Sequence, residues 1–279
     1  GITMSTLRFS GGEGWVRVEA EAESGNIQAD AQWGMLHSLA QKAKGMDILE
    51  CYVSPAWEDI PQMYWDPEGC WYGWSYWFIN GVYNTEVLAQ KGLEPPKSWK
   101  DLLDPKWKDE IVMPNPGTAG TAFVIVATIM QLYGEEEGWK YLEELDKNVD
   151  QYTKSGSAPA QLVAQGEYAF GLTWDQAVTS RKAEGFPVEM WIPEEGVGYD
   201  LDVAVIFKTG QNLTEAKKLI DWLGTTEAQQ LAGTYRSRVT RPGVPALIDT
   251  DPKLVEYDVQ WVADNRDRIM EDWKTKFQK

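Results

Sequence analysis

The residues from Lys154 to Gln176, KSGSAPAQLVAQGEYAFGLTWDQ, carry the clearest chemical signal in the chain. A Ser-Gly-Ser turn precedes a short helix, and Pro159 falls in its first turn, where a proline is tolerated. Ser155 and Ser157 are well placed to cap that helix. A glycine then breaks it, and an apolar strand runs to Trp174-Asp175. The free amides of a helix start, with the helix dipole behind them, attract an anion. The strand end sets an aromatic ring and a carboxylate beside them. Together these residues describe a pocket for a small anionic solute with a second, polar or cationic, end. Ser155, Gly156 and Ser157 would hold the anionic head through hydroxyls and backbone amides. Trp174 would wall the pocket and face an amine. Asp175 would pair with that amine or accept hydrogen bonds from sugar hydroxyls. The same stretch also reads as an ordinary capped helix followed by an ordinary strand.

A second group of donors follows a Pro-Asn-Pro-Gly loop. Thr118, Gly120 and Thr121 open an apolar helix, as extra anion donors or as plain caps. Trp33 closes a short strand and is a second candidate wall. Arg236, Arg238 and Arg241 are the tightest basic cluster, available to an anion or scattered over a surface loop.

Bulk properties remove several function classes. Net charge is −17, from 26 basic and 43 acidic residues. Nucleic acid and anionic membrane surfaces both require clustered Lys and Arg, so neither is an expected partner. No run approaches the roughly 18 apolar residues of a membrane span. The first residues lack the basic and apolar regions of a signal peptide, which has either been removed or was never there. His37 is the single histidine, and no nucleophile motif surrounds it; a solvated helix histidine is expected. Cys51 and Cys70 cannot make a zinc site alone. They pair if the chain works outside the cytoplasm and stay free if it does not. Glu194-Glu195 and Asp200/Asp202 are carboxylate pairs of the kind acid–base chemistry uses, but no motif surrounds them. No catalytic residue, resident metal or cofactor is expected.

The elements that must position these groups alternate. Strands are expected at Ile2–Phe9, at 29–33 ending in Gly34, at 71–83, 110–113, 188–192 and 202–207. Helices are expected at 15–23, from Gly34 to Lys44, at 98–103, 121–133, 135–145, 214–223, 226–233 and from Pro252 to about Lys276. Short strands alternating with helices imply an α/β architecture. No flexible linker and no repeat of 20–50 residues interrupts it.

The segments Asp101-Leu-Leu-Asp-Pro-Lys-Trp-Lys108, Ile111-Val-Met-Pro-Asn-Pro-Gly-Thr-Ala-Gly-Thr121, Tyr152-Thr-Lys-Ser-Gly-Ser-Ala-Pro159 and Gly185-Phe-Pro-Val-Glu189 resemble the ferric-iron and phospho-organic class of periplasmic substrate-binding proteins, which feed ABC importers. The resemblance runs through essentially the whole chain. It implies a type II two-lobed α/β fold, with lobe 1 at 1–80 plus 205–245 and lobe 2 at 81–204 plus 246–279. It implies a ligand cleft between lobes that close on a hinge, no catalysis, and a permease as partner. The setting would be periplasmic or extracytoplasmic, with a lipid anchor in a Gram-positive cell. Ser10, Gly11 and Gly12 would then donate to the ligand from the first lobe.

Two departures from the family pattern stand out. On the family pattern, the first β-α unit of lobe 1, roughly 25–30 residues, is expected to be missing before Ile2. A homodimer, or a swapped non-binding paralogue, would be ways to fill that gap. Iron-binding members place adjacent tyrosines where this chain has Trp174-Asp175-Gln176. Indole does not ligate ferric ion, so a phosphate ester, phosphonate or sugar phosphate is expected ahead of iron.

Overall fold

The structure is a computed structural model and describes residues 1–9, 11–245, 247–248 and 252–277. In chain order it begins with α1 (Gly11–Glu23), β1 (Ala31–Leu36), α2 (His37–Gly45), β2 (Tyr72–Asn84) and α3 (Thr85–Lys91). Next come β3 (Ile111–Pro114), α4 (Gly120–Tyr133), α5 (Glu135–Asp146), β4 (Val149–Thr153), α6 (Ala158–Ala164) and β5 (Phe170–Trp174). The remainder is α7 (Asp175–Ala183), β6 (Val188–Trp191), β7 (Tyr199–Ile206), α8 (Leu213–Gly224), α9 (Thr226–Gly233), β8 (Arg238–Val239) and α10 (Val259–Phe277). The chain forms two compact units. Unit 1 comprises Gly1–Trp77, Asp200–Asp249 and Val259–Asp264; unit 2 comprises Phe78–Tyr199, Thr250–Asp258 and Asn265–Lys279.

In unit 1, β1 lies antiparallel to β7, with Ala31 opposite Ile206. The strand does not stop at Gly34, as its glycine suggests. Gly34 takes φ +84°, which only glycine adopts without strain, and the strand bulges between Trp33 and Met35 and continues to Leu36. The core of this unit gathers Trp57, Ile60, Tyr72, Trp74, Ile206 and Ile220. Trp57 stacks on Tyr72 with ring centroids 5.0 Å apart. Burying aromatic rings of this size dominates the energetics of a small core. A disulfide joins Cys51 to Cys70, so the pairing that the sequence leaves open is made.

Residues 1–9 form no strand, although their partial alternation suggests one. A strand needs a neighbour for its backbone groups, and among the described residues the structure pairs this segment with none. Ile2, Met4, Leu7 and Phe9 remain exposed.

His37 is not the solvated residue expected. It opens α2, and its backbone N–H donates to Asp200 Oδ1 at 2.9 Å. Its ring meets Trp71 edge-on at 4.2 Å, and Nε2 is buried with no hydrogen-bond partner among the described residues. Burial pushes its pKa down to about 4, against the pull of Asp66. The unfolded chain, with a histidine near 6.5, therefore binds the extra proton first as pH falls. This part of the stability is complete above about pH 6.5 and is lost progressively toward pH 4. We expect the Tm to fall by several degrees between pH 7 and pH 4.5, and His37→Phe to lack that share of the fall. Equal slopes in the two proteins would remove His37 as the cause.

In unit 2, β3 lies between β4 and β5 and runs parallel to both. The second half of β2 is antiparallel to β5 and to β6. Helix α4, GTAFVIVATIMQLY, is apolar on every side, and residues Ala122–Met130 are buried, as such a helix must be. Helix α5 packs against it where Gly138 lets the two backbones approach: a Cβ there would lie 3.0 Å from Met130 Cα. Ser98 caps the 3-10 helix Trp99–Leu103 in a capping box with Asp101, as the sequence predicts for this short element. Trp99 donates from Nε1 to the carbonyl of Gly196 at 3.0 Å and meets Trp191 edge-on. The closing helix is shorter than expected. Described residues 252–258 are not helical, and α10 starts only at Val259. Pro252 alone does not begin a helix; here the Val197 N–H donates to the Lys253 carbonyl and the Val255 N–H to the Val197 carbonyl instead.

Candidate functional site

Parallel strands carry their ligand-binding loops at their carboxyl ends. In unit 2 the carboxyl ends of β3, β4 and β5 are adjacent: Pro114 pairs with Thr153, and Val112 with Gly171. Each strand leads into a helix from that edge, namely α4, α6 and α7.

The turn after β4 is the best-defined part. Thr153, the last residue of β4, donates from Oγ1 to the carbonyl of Ser155 at 2.9 Å. Thr173, near the end of β5, donates from Oγ1 to the carbonyl of Gly156 at 2.7 Å. In a trans peptide the N–H points opposite to the C=O. Pinning both carbonyls back toward the strand ends therefore turns the N–H groups of Gly156 and Ser157 outward. Two successive outward amides make an anion-binding concavity. Ser155 and Ser157 are exposed on the same turn.

The start of α4 adjoins this turn. A Cβ on Gly156 would lie 2.8 Å from Thr121 Cβ, so only glycine fits between the two segments. Asn115 occupies the preceding amides: Gly117 N–H donates to its side chain at 2.8 Å, and those of Thr118 and Ala119 to its carbonyl at 3.0 and 2.9 Å. No side chain caps α4, whose N-cap is Ala119. Gly120 and Thr121 thus hold helix-start amides of the kind that lack intrahelical partners.

The structure brings together Ser155, Gly156, Ser157, Gly120 and Thr121. Thr118 stands at the edge of the group, and its hydroxyl donates back to Asn115. Ser157 occupies the N-cap position of α6, yet its side chain caps nothing; the capping role expected of it is not taken up. Trp174 ends β5 half-buried. Asp175 is fully buried, and its Oδ1 accepts from the N–H of Gln176 at 2.7 Å. Trp33, Gly11 and Gly12 belong to unit 1: Trp33 is 41% exposed on β1, and the two glycines open α1. Ser10 lies outside the described residues. Thr153 and Thr173, which pin the turn, are functional residues that the sequence motifs do not single out. A threonine at or beside the last position of each flanking strand was the available signal.

Other candidate groups are tied into the scaffold. Arg241 donates to the carbonyls of Ala56 and Gly224 at 3.1 and 2.8 Å and pairs with Asp59. Arg236 pairs with Asp202 at 3.2 Å, and Arg238 lies over the Tyr76 ring. Asp200 holds the His37 amide, and Asp202 accepts from Ser75. Glu195 accepts from the Trp99 amide and the Tyr133 hydroxyl. Asp66, Glu68 and Cys70 cluster closely enough to suggest a metal. The Cys70 sulfur is spent in the disulfide, however, and Lys44 bridges both carboxylates at 2.8 and 3.2 Å. That cluster is a salt bridge, not a metal site.

Residues 34–257 match the model of a family described as bacterial extracellular solute-binding protein. The chain belongs to this family. Its fold is the mixed α/β type II fold of periplasmic binding proteins. An uncharacterized protein of Haemophilus influenzae is 35% identical over 97% of this chain and 82% of its own length. A Sinorhizobium fredii protein named "Probable ABC transporter periplasmic-binding protein y4fP" is 26% identical, over 94% of this chain and 73% of its own. Among solved structures, the periplasmic binding protein AfuA of Actinobacillus pleuropneumoniae, with fructose-6-phosphate bound, superposes with a TM-score of 0.89. It is 32% identical and aligns over 98% of this chain and 90% of its own. As a family member, the chain is a periplasmic solute-binding protein of the ABC importer class. The family's members are receptors rather than enzymes, and none of the chain's helices is long and apolar enough to cross a membrane among the described residues.

Proposed function

We propose that this chain captures a small organic solute bearing a phosphate or phosphonate group and hands it unchanged to an ABC importer permease. The observation that carries the reading is the pinned turn at Ser155–Ser157, whose two outward amides adjoin the uncapped start of α4. Hydrogen bonds to a charged group contribute about 1.5–3 kcal/mol each, so a few convergent amides suffice for a tight anion seat. Trp174, half-buried at the end of β5, and Asp175, buried at the start of α7, are the residues proposed to line its β5 side. Ser10, Gly11, Gly12 and the exposed Trp33, all of unit 1, are proposed as further ligand contacts. A disulfide suits an oxidising, extracytoplasmic setting. Calorimetry with fructose 6-phosphate, 2-aminoethylphosphonate and inorganic phosphate tests the proposal; heat from none of the three would reject it.

Ferric ion is the alternative cargo. A hard ferric centre favours phenolate oxygens, and the end of β5 offers Trp174-Asp175-Gln176 with no tyrosine. We expect ferric citrate to produce no visible tyrosinate charge-transfer band. A strong band on titration would restore iron as the cargo.

One observation favours a homodimer as a further property. Residues 1–9 expose Ile2, Met4, Leu7 and Phe9 along one short segment. Sedimentation of the purified chain decides it: a single monomeric species removes the dimer.

A further inference from the structure

Asn80 is the most anomalous polar group near the turn. It sits in β2, inside unit 2, and is fully buried. Neither Oδ1 nor Nδ2 of its amide has a hydrogen-bond partner among the described residues. A primary amide carries two donors and an acceptor with two lone pairs, and burying such a group unpaired is strongly unfavourable. Native proteins rarely keep a buried polar group in this condition without a use for it.

Its register places it. Asn80 lies directly opposite Thr173 across the β2–β5 pair, and opposed residues share one face of a sheet at about 4.5–5.5 Å between Cβ atoms. Thr173 is the residue whose hydroxyl holds the Gly156 carbonyl. Gly171 and Val82, the pair two positions along, look toward α6: a Cβ on Gly171 would meet Val163 and Pro159. Asn80 therefore points to the same side as the Ser155–Ser157 turn, beneath its threonine anchor.

We propose that Asn80 reads a hydroxyl of the bound solute, next to the anionic head held by the turn. This rests on the proposed function and narrows its ligand to a hydroxylated phosphate ester. The chemistry of the amide sets that class. A phosphate offers acceptors to Nδ2 and leaves Oδ1 unfilled, and an ammonium does the reverse. A hydroxyl both donates and accepts, so one such group satisfies both ends. A bound hydroxyl would relieve the unpaired amide. Stability and affinity should consequently respond to Asn80 with opposite signs, which a merely structural asparagine would not do.

The experiment compares the wild-type chain with Asn80→Leu, which keeps the volume, and with Asn80→Ser as a smaller variant should the first fold poorly. Calorimetry is run with fructose 6-phosphate, 2-aminoethylphosphonate and inorganic phosphate, and the Tm is read without ligand. We expect Asn80→Leu to weaken fructose 6-phosphate at least tenfold while phosphate and aminoethylphosphonate shift less than threefold. We expect its ligand-free Tm to equal or exceed that of the wild type. Unchanged fructose 6-phosphate affinity in both variants would show that the amide serves only hydration and would overturn the assignment. A lowered Tm with equal losses for all three probes would make Asn80 structural and also overturn it. Wild-type binding of phosphate or aminoethylphosphonate without fructose 6-phosphate would leave the anion seat standing and sink the hydroxyl reading alone. Binding of no probe would reject the proposed function itself.

Discussion

Gly156→Val is expected to abolish capture of phosphate-bearing solutes, with a loss of at least about 100-fold in affinity. The reason is steric and local. A Cβ at 156 would lie 2.8 Å from Thr121 Cβ, closer than real side chains approach. The turn must move away from α4, and the Gly156 carbonyl then leaves the Thr173 hydroxyl that holds it at 2.7 Å. Both outward amides lose their direction. Two hydrogen bonds to a charged group, at about 1.5–3 kcal/mol each, account for two or more decades. Overpacking should also lower stability by about 1–3 kcal/mol. Combining the change with Thr121→Gly removes the obstructing side chain and should restore part of the affinity. An affinity within threefold of wild type in Gly156→Val, measured calorimetrically on folded protein, would detach the turn from ligand binding.

Removing the disulfide should produce the largest change in stability. Cys51 and Cys70 are 19 residues apart. On the chain-entropy account, closing a loop of that length stabilises the fold by about 3 kcal/mol. The loop it closes carries Trp57 into the core against Tyr72 and includes Asp66 and Glu68, which Lys44 ties to α2. The double variant Cys51→Ser/Cys70→Ser should lose about that amount in denaturant unfolding, a fall in Tm of roughly 6–12 °C. Reduction of the wild-type chain should give the same shift. The pinned turn has its contacts within unit 2, so the folded double variant should still hold phosphate through it. A loss under about 1 kcal/mol would mean that the aromatic core alone sets this loop.

Much of the architecture was legible because its signals are local. The all-apolar helix α4, the Ser98 capping box and the Pro-started α6 each depend on a few neighbouring residues, and each forms where its residues indicate. Elements governed by distant partners were harder to read. Residues 1–9 have a strand-like pattern and no strand to pair with. Gly34 reads as a stop, yet its freedom at positive φ lets β1 continue through a bulge. His37 looks like a surface histidine because nothing nearby in the sequence reveals Trp71 and Asp200, which enclose it.

The candidate site divides in the same way. The Ser-Gly-Ser turn and the Gly120-Thr121 helix start can be seen as donor segments from residue types alone. Their contact through Gly156 cannot, because it joins segments 35 residues apart. Ser157 stands at the N-cap position that suits a capping serine, but the threonines Thr153 and Thr173 shape the turn instead. Asn80 gives no sequence signal at all. Its interest lies wholly in burial without partners, a property that only the folded chain has.

Native mass spectrometry of the chain purified from cells tests the central claim most directly. The account predicts a small organic molecule that stays bound under gentle ionisation, is released intact on denaturation, and carries a phosphate or phosphonate group by mass. An iron adduct in its place, or a chain that carries no such molecule and gains none on incubation with fructose 6-phosphate, 2-aminoethylphosphonate or inorganic phosphate, would contradict it.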